Sequence, residues 1–323
     1  MEKLSWYDVF LENLNSKFPK RVYLIEELMS LLCIEREAAY RRLRKDVFFP
    51  MHEIVKISAA WNISLDEIIG INSGSTPFQM QTLNYLTPEL KDIQHLKRKM
   101  KILEQVTSAP HSEYMEVCNK LPRPINIDFP ILYRFEIFKW AYQYNYNAET
   151  NSTTPYSKVI FSEELSQQFN IYSRLIKKIT NSSFILDQLI FDHFVQNIKF
   201  FHSILLINDE EKELLKSQLF LLLDYITELA ATGCYPDTQN KVNIYISQLN
   251  INTNYSYYYA DGLKLCRINA FGKFDVLSYD TEMINYFRTW MNLKKRSAIQ
   301  ISETNEKSRI EYLTKQRQII DTL

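Results

Sequence analysis

Between residues 35 and 46 the chain reads EREAAYRRLRKD, where five cationic side chains, Arg36, Arg41, Arg42, Arg44 and Lys45, outnumber three carboxylates, Glu35, Glu37 and Asp46. An arginine guanidinium is a planar fork of donors that meets two acceptors at once, on a phosphate or on the major-groove edge of guanine. Tyr40 can contact a phosphate or stack on sugar. Glu37 can accept a hydrogen bond from cytosine, or pair with Arg41 one helical turn later. These residues offer recognition of a polyanion, not bond making. The same run also suits a solvated helix laced with intrahelical salt bridges.

To read a groove, such a run needs a helix that docks one side on its own domain and turns the other outward. Ala39 and Leu43, at i and i+4, form the docking side, and Arg36, Tyr40 and Arg44 lie opposite. Four more helical patterns surround this one. Phe10 and Leu14 space a first helix, and Leu24, Leu28 and Leu31 a second; Cys33 and Ile34 make a tight corner before the third. Pro50 opens a fourth, lined by Ile54, Ile57 and Trp61. In ISLDEII, Ser64 can cap the backbone N–H of Glu67 while the Glu67 side chain reaches back, and Ile63 can staple against Ile68. Residues 1–71 are therefore expected to form an all-α domain of five short helices.

The stretch ELMSLLCIEREAAYRRLRKDVFFPMHEIVKISAAWNISLDEIIG resembles the Xre and Cro type of lambda-repressor-like helix-turn-helix domain, over roughly residues 10–70. The resemblance implies a sequence-specific transcriptional regulator that binds double-stranded DNA. It implies a second helix from about Val22 to Leu32 and a recognition helix from Glu35 to Lys45. Arg36, Glu37, Tyr40, Arg41 and Arg44 would then take the DNA-facing positions, with Lys45 closing the run. Two positions depart from the family: Cys33 stands where glycine is usual at the corner, and Met29 where a small residue such as alanine is usual. Glycine takes positive φ at no steric cost, so Cys33 implies an altered or a strained corner. The alternative is an interaction protein that uses the same fold without specific DNA binding.

Residues 72–110 read as a linker and connecting helix. INSGSTPFQMQT is small and polar, Thr87 can cap, and Pro88 fits a first helical turn. Leu86, Ile93 and Met100 recur every seven residues, as do Leu96 and Leu103, the pattern of a short coiled-coil seam. DNA half-sites one helical turn apart call for a two-fold dimer, so this seam is the expected site of homodimerisation. The same stripe would also serve to pack the helix on the following domain. KRKMK on this helix could touch phosphate, but reads first as a solvated basic face.

Residues 111–323 read as an α+β domain, helical to about residue 235 and then a small antiparallel sheet with two terminal helices. The helical segments are FPILYRFEIFKWAYQYNYN, Ser162 to Ile179, FILDQLIFDHFVQNIKFFHSILL and NDEEKELLKSQLFLLLDYITELAATG. Leu189, Phe194, Ile198, Phe201 and Leu205 make one apolar stripe, Asn208 and Glu211 stand at capping-box spacing, and Gly233 is the stop. KVNIYISQLNI then alternates, Asp261-Gly262 between β-rich runs signals a hairpin, and FGKFDVLSY supplies another strand, giving three or four strands. Tyr257, Tyr258 and Tyr259 put tyrosines on both sheet faces. A body of this size attached to a reader suits a small-molecule effector, a protein effector or self-association.

Composition narrows the classes further. The 323 residues carry 38 Lys plus Arg and 38 Asp plus Glu, so any polyanion binding must come from a local patch. A hydrophobic fraction of 46% and a charged fraction of 24% are those of a folded protein. Five scattered glycines form no phosphate-cradling loop, and no nucleophile-elbow, His-Glu-x-x-His or Walker pattern is present, so no catalytic residue, cofactor or metal is assigned. His52, His95, His111, His193 and His202 share no ligand spacing, and Asp192 and His193 point to different sides of a helix. Cys33, Cys118, Cys234 and Cys266 are widely spaced, as expected of free thiols in a reducing cytoplasm. No secretory signal is read at MEKLSWYDVF. The longest apolar run, LFLLLDYI, is broken by Asp224 and falls short of the ~20 residues of a membrane span.

Overall fold

The computed structural model describes residues 6–18, 20–61, 63–65, 68, 78–80, 88–144, 154–270 and 274–323. The chain divides into two compact units, Met1–Pro77 and Phe78–Leu323.

In the first unit α1 (Trp6–Ser16), α2 (Arg21–Leu32), α3 (Arg36–Leu43) and α4 (Met51–Trp61) enclose one core. Phe10, Leu14, Leu24, Leu28, Ala39, Leu43, Ile54 and Ile57 are buried in it. These are the apolar positions the 3.6-residue period selects, except that α2 buries Ile25 and Leu32 while Leu31 is only half-buried. At the expected fifth helix Leu65 and Ile68 are helical, and Ile63 and Ile68 are both buried. The capping box expected there lies outside the described residues, because Glu67 does.

The second unit is built on an eight-stranded mixed sheet. Its strands are β1 (Gln79–Met80), β2 (Ser112–Cys118), β3 (Asn181–Leu186), β4 (Lys241–Ser247), β5 (Tyr255–Ala260), β6 (Leu263–Ala270), β7 (Phe274–Ser278) and β8 (Ala298–Gln300). They lie in the order β1-β7-β6-β5-β2-β3-β4-β8. β2, β3 and β4 run parallel and the remaining pairs antiparallel. Helices α5 (Pro88–Thr107), α6 (Pro130–Tyr144), α7 (Glu163–Ile176), α8 (Ile190–Ser203), α9 (Asp209–Thr232), α10 (Thr281–Lys294) and α11 (Glu306–Asp321) surround the sheet, with a single helical turn, Arg123–Asn126, before α6. One sheet face, with Tyr114, Phe184, Ile244 and Tyr258, belongs to the large core shared with α5 to α9 and α11. The other, with Met115, Ile185, Tyr257 and Cys266, packs on Ile284, Phe287 and Met291 of α10.

This corrects the expectation of a small antiparallel sheet confined to the chain beyond residue 235. Phe184, Ile185 and Leu186, which read as the start of a helix, are strand β3. A parallel strand buried on both faces reads as a continuous apolar run, which periodicity cannot tell from a buried helix. The stripe on α8 keeps Phe194, Ile198 and Phe201 buried, whereas Leu189 and Leu205 flank the helix and are 44% and 88% exposed.

Local signals with a single backbone solution are met. Asp261-Gly262 joins Ala260 to its partner Leu263, with Gly262 at φ 86°. Asn208 Oδ1 accepts from Glu211 N at 2.8 Å and Glu211 Oε2 from Asn208 N at 2.9 Å, closing the capping box of α9. Gly233 ends that helix at φ 71°.

The seven-residue stripe of α5 has a different outcome. Ile93, Leu96, Met100 and Leu103 are buried in the second unit's own core, and α5 packs along α7. The seam expected to hold a dimer is thus filled by the chain itself; Leu86 and Thr87 lie outside the described residues. In the KRKMK run, Lys97 pairs with Glu164 at 2.8 Å, while Lys99 turns inward.

Candidate nucleic-acid interface

The corner between α2 and α3 is made by residues 33–35. Cys33 caps α2 at φ 54° and ψ 47°, the left-handed conformation that glycine would take without cost. The corner is therefore left-handed at a residue with a side chain, and Cys33 carries a strain of about 1–2 kcal/mol. Glu35 is extended and its carbonyl accepts from Ala39 N at 3.1 Å, which starts α3.

The far end of α3 is held more firmly. Lys45 takes φ 70°, Asp46 N donates to Arg41 O at 2.9 Å and Lys45 N donates to Arg42 O at 3.2 Å. That pair of bonds is a Schellman turn, so the helix expected to reach Lys45 stops at Leu43. Tyr7 of α1 then clamps the turn: its hydroxyl donates to Arg42 O at 3.1 Å and accepts from Phe49 N at 3.2 Å. Burial pushes the Tyr7 phenol above its ordinary pKa, so the hydroxyl keeps the proton it donates. Arg42 Nε and Nη2 form a bidentate pair with Glu53 of α4, at 2.7 and 2.8 Å, almost fully buried.

Sequence reasoning does not single out Arg42, Glu53 or Tyr7 as site residues, yet together they set where α3 lies. One legible trace exists: Arg42 lies next to Leu43, off the Arg36–Tyr40–Arg44 line. Its partner, eleven residues on, is visible only in the fold.

Of the residues given DNA-facing positions, Arg36, Glu37, Arg41, Arg44 and Lys45 are exposed, and Tyr40 is half-buried against the core. Arg44 reaches Glu37 at 2.8 Å and Asp46 at 3.3 Å, and Lys45 pairs with Asp8 of α1. These pairs are open to solvent and worth at most about 1 kcal/mol each, so a phosphate can displace the carboxylates. Among the described residues Arg36 and Arg41 carry no ion pair. Of the five cations in the run, one is therefore structural, two are loosely neutralised, and two present unspent guanidinium groups.

Elsewhere among the described residues no three His, Cys, Asp or Glu side chains converge as a metal-ligand set. None of the described helices is long and apolar enough to cross a membrane. All four cysteines are free, with Cys118 and Cys266 buried. No family model matches the chain, and no curated protein and no solved structure matches it.

Proposed function

We propose that the protein is a sequence-specific DNA-binding transcriptional regulator whose first unit places α3 in the major groove. The observation that carries this reading is the pairing of two unneutralised arginines, Arg36 and Arg41, with a helix fixed from behind by Tyr7, Arg42 and Glu53. Groove reading needs donors that are free at the tip and immobile at the root. Arg36 and Arg41 are the base or phosphate donors, Arg44 and Lys45 exchange carboxylate for phosphate on binding, and Glu37 is released from Arg44 to accept from cytosine.

One observation favours a second reading, a protein-interaction module on the same fold: residues 1–77 hold ten Lys plus Arg against eleven Asp plus Glu. That unit draws DNA only through the local field beside α3.

Selection from a pool of random-sequence duplexes by the full chain separates the two. The regulator enriches one motif, and the Arg36→Ala/Arg41→Ala chain enriches none; a full chain that enriches no motif overturns the regulator reading. Because the α5 stripe is buried, copy number is read from the same experiment. Inverted half-sites report a dimer joined elsewhere, and a single half-site a monomer.

A further inference from the structure

The second unit carries a cavity of about 280 Å³, open to solvent on one side, between the sheet and α6. Its floor is a row of polar residues on a sheet face that is otherwise core. Glu116 on β2 is the register partner of Ser256 on β5, which is the partner of Arg267 on β6. Arg267 donates to Ser256 Oγ at 2.8 Å and reaches Glu116 at 3.5 Å. Beside them Asp275 on β7 is met by Lys99 at 3.0 Å, His95 at 3.3 Å and Arg267 at 3.7 Å. Burial alone would raise the Asp275 carboxyl, but Lys99 and Arg267 outweigh it and hold it well below the carboxylate range. Burial, with Lys99 beside it, lowers His95 to about 3, so its imidazole is neutral.

The roof is α6 and the turn before it, which supply Arg123, Asn126, Glu136 and Lys139. Lys139 pairs with Glu136 at 2.8 Å. In all, Lys99, Lys120, Arg123, Lys139 and Arg267 line the cavity against Glu116, Glu136 and Asp275, a formal excess of two positive charges. Arg123 stands out: among the described residues it has no carboxylate partner, and its Nη1 is buried without a hydrogen-bond partner. Its guanidinium lies 5.2 Å from the centre of the Tyr133 ring. The Oδ1 of Asn126, also on the cavity wall, is a buried acceptor that no described residue satisfies. A buried guanidinium N–H with no hydrogen-bond partner and a buried acceptor without a donor are both costly, and one ligand with an anion and a hydroxyl answers both.

We propose that this cavity binds a small phosphate monoester bearing hydroxyl groups, with the phosphate on Arg123 and a hydroxyl donated to Asn126. A phosphate monoester carries about −1.5 to −2 charges at neutral pH, on the scale of the formal cationic excess that lines the cavity. The volume lies at the small end of ligand pockets, which span about 300–1,000 Å³, so the ligand is of sugar-phosphate size. Lys120, lowered to about 8 by burial against the opposing pull of Glu136 and Glu116, with Arg123 and Lys139 reinforcing the descent, gains from an added anion. All the residues of the site belong to the second unit, and its test does not depend on DNA binding.

Isothermal titration of the full chain with ribose 5-phosphate, inorganic phosphate, ribose and malate tests the assignment. Ribose 5-phosphate is expected to bind most tightly and inorganic phosphate more weakly, with ribose and malate about tenfold or more below ribose 5-phosphate. Arg123→Gln should weaken ribose 5-phosphate binding by about tenfold or more while the circular dichroism spectrum is kept. Should Arg123→Gln fail to fold, Lys139→Gln, whose side chain is 22% exposed at the cavity wall, is expected to weaken binding several-fold. Absence of heat with both phosphates, tighter binding of malate than of ribose 5-phosphate, or affinity unchanged in a folded variant each overturns the proposal.

Discussion

Alanine at both Arg36 and Arg41 is expected to weaken binding to the selected duplex by about 2–6 kcal/mol, since a well-made arginine contact to a base is worth about 1–3 kcal/mol. The affinity then falls roughly 30-fold to 10⁴-fold. Both side chains are exposed and neither forms an ion pair among the described residues, so the loss reports on DNA and not on the fold. Arginine and alanine are both good helix formers, and the helix signal should not change. Arg44→Ala is expected to cost less, because Glu37 and Asp46 already hold that guanidinium and part of its attraction to DNA is spent in breaking those pairs. Anisotropy titrations at several salt concentrations check this. If either arginine touches phosphate instead of a base, the logarithmic salt slope becomes shallower by about one for each phosphate left without its arginine. Equal affinity and equal slope in the double variant would remove α3 from the interface.

The second large effect is expected from Glu53→Ala. Arg42 and Glu53 are 16% and 8% exposed at their side chains, and truncating the carboxylate strands a guanidinium under α4. Breaking a buried pair from one side costs about 3–5 kcal/mol. A unit of this size has a total stability of the same order, about 0.05–0.15 kcal/mol per residue, so the first unit should populate its unfolded state. Amide hydrogen exchange of the full chain makes the effect local: α1 to α4 lose protection while the β2–β3–β4 ladder keeps it. Replacing both partners, Arg42→Met with Glu53→Leu, removes the stranded charge and should restore protection. DNA binding returns with the fold, because Arg42 faces inward. Protection in α1 to α4 unchanged by Glu53→Ala would show that the pair does not hold α3 in place.

These two variants also mark what the sequence makes legible. Ala39 and Leu43 set the docking side of α3, and the exposed side follows from their spacing alone. Cys33 stands out because a tight corner demands left-handed backbone, and it adopts it. Asp261-Gly262 and the Asn208–Glu211 box have one local solution each and reach it. Arg42 is the counter-example: it stands beside Arg41 with the same side chain, and only Glu53 on another helix separates a structural arginine from a free one. Strand β3 is hidden for the reason parallel central strands often are, since burial on both faces erases alternation. The cavity is hidden because its charges are spread from Lys99 to Asp275 over five elements and the turn before α6. It does leave one readable trace. In β6, Leu265 and Arg267 share the inward face, and a charge at an inward strand position signals a buried partner or a ligand.

Methylation interference on the selected duplex tests the central claim most directly, because it asks whether donors on α3 reach the major-groove edge of guanine. The full chain is expected to be blocked by methyl groups at guanine N7 within the motif, and Arg36→Ala or Arg41→Ala should each abolish the block at one position while weakening binding overall. Interference confined to the minor groove, or an N7 pattern that neither substitution alters, would contradict a recognition role for α3.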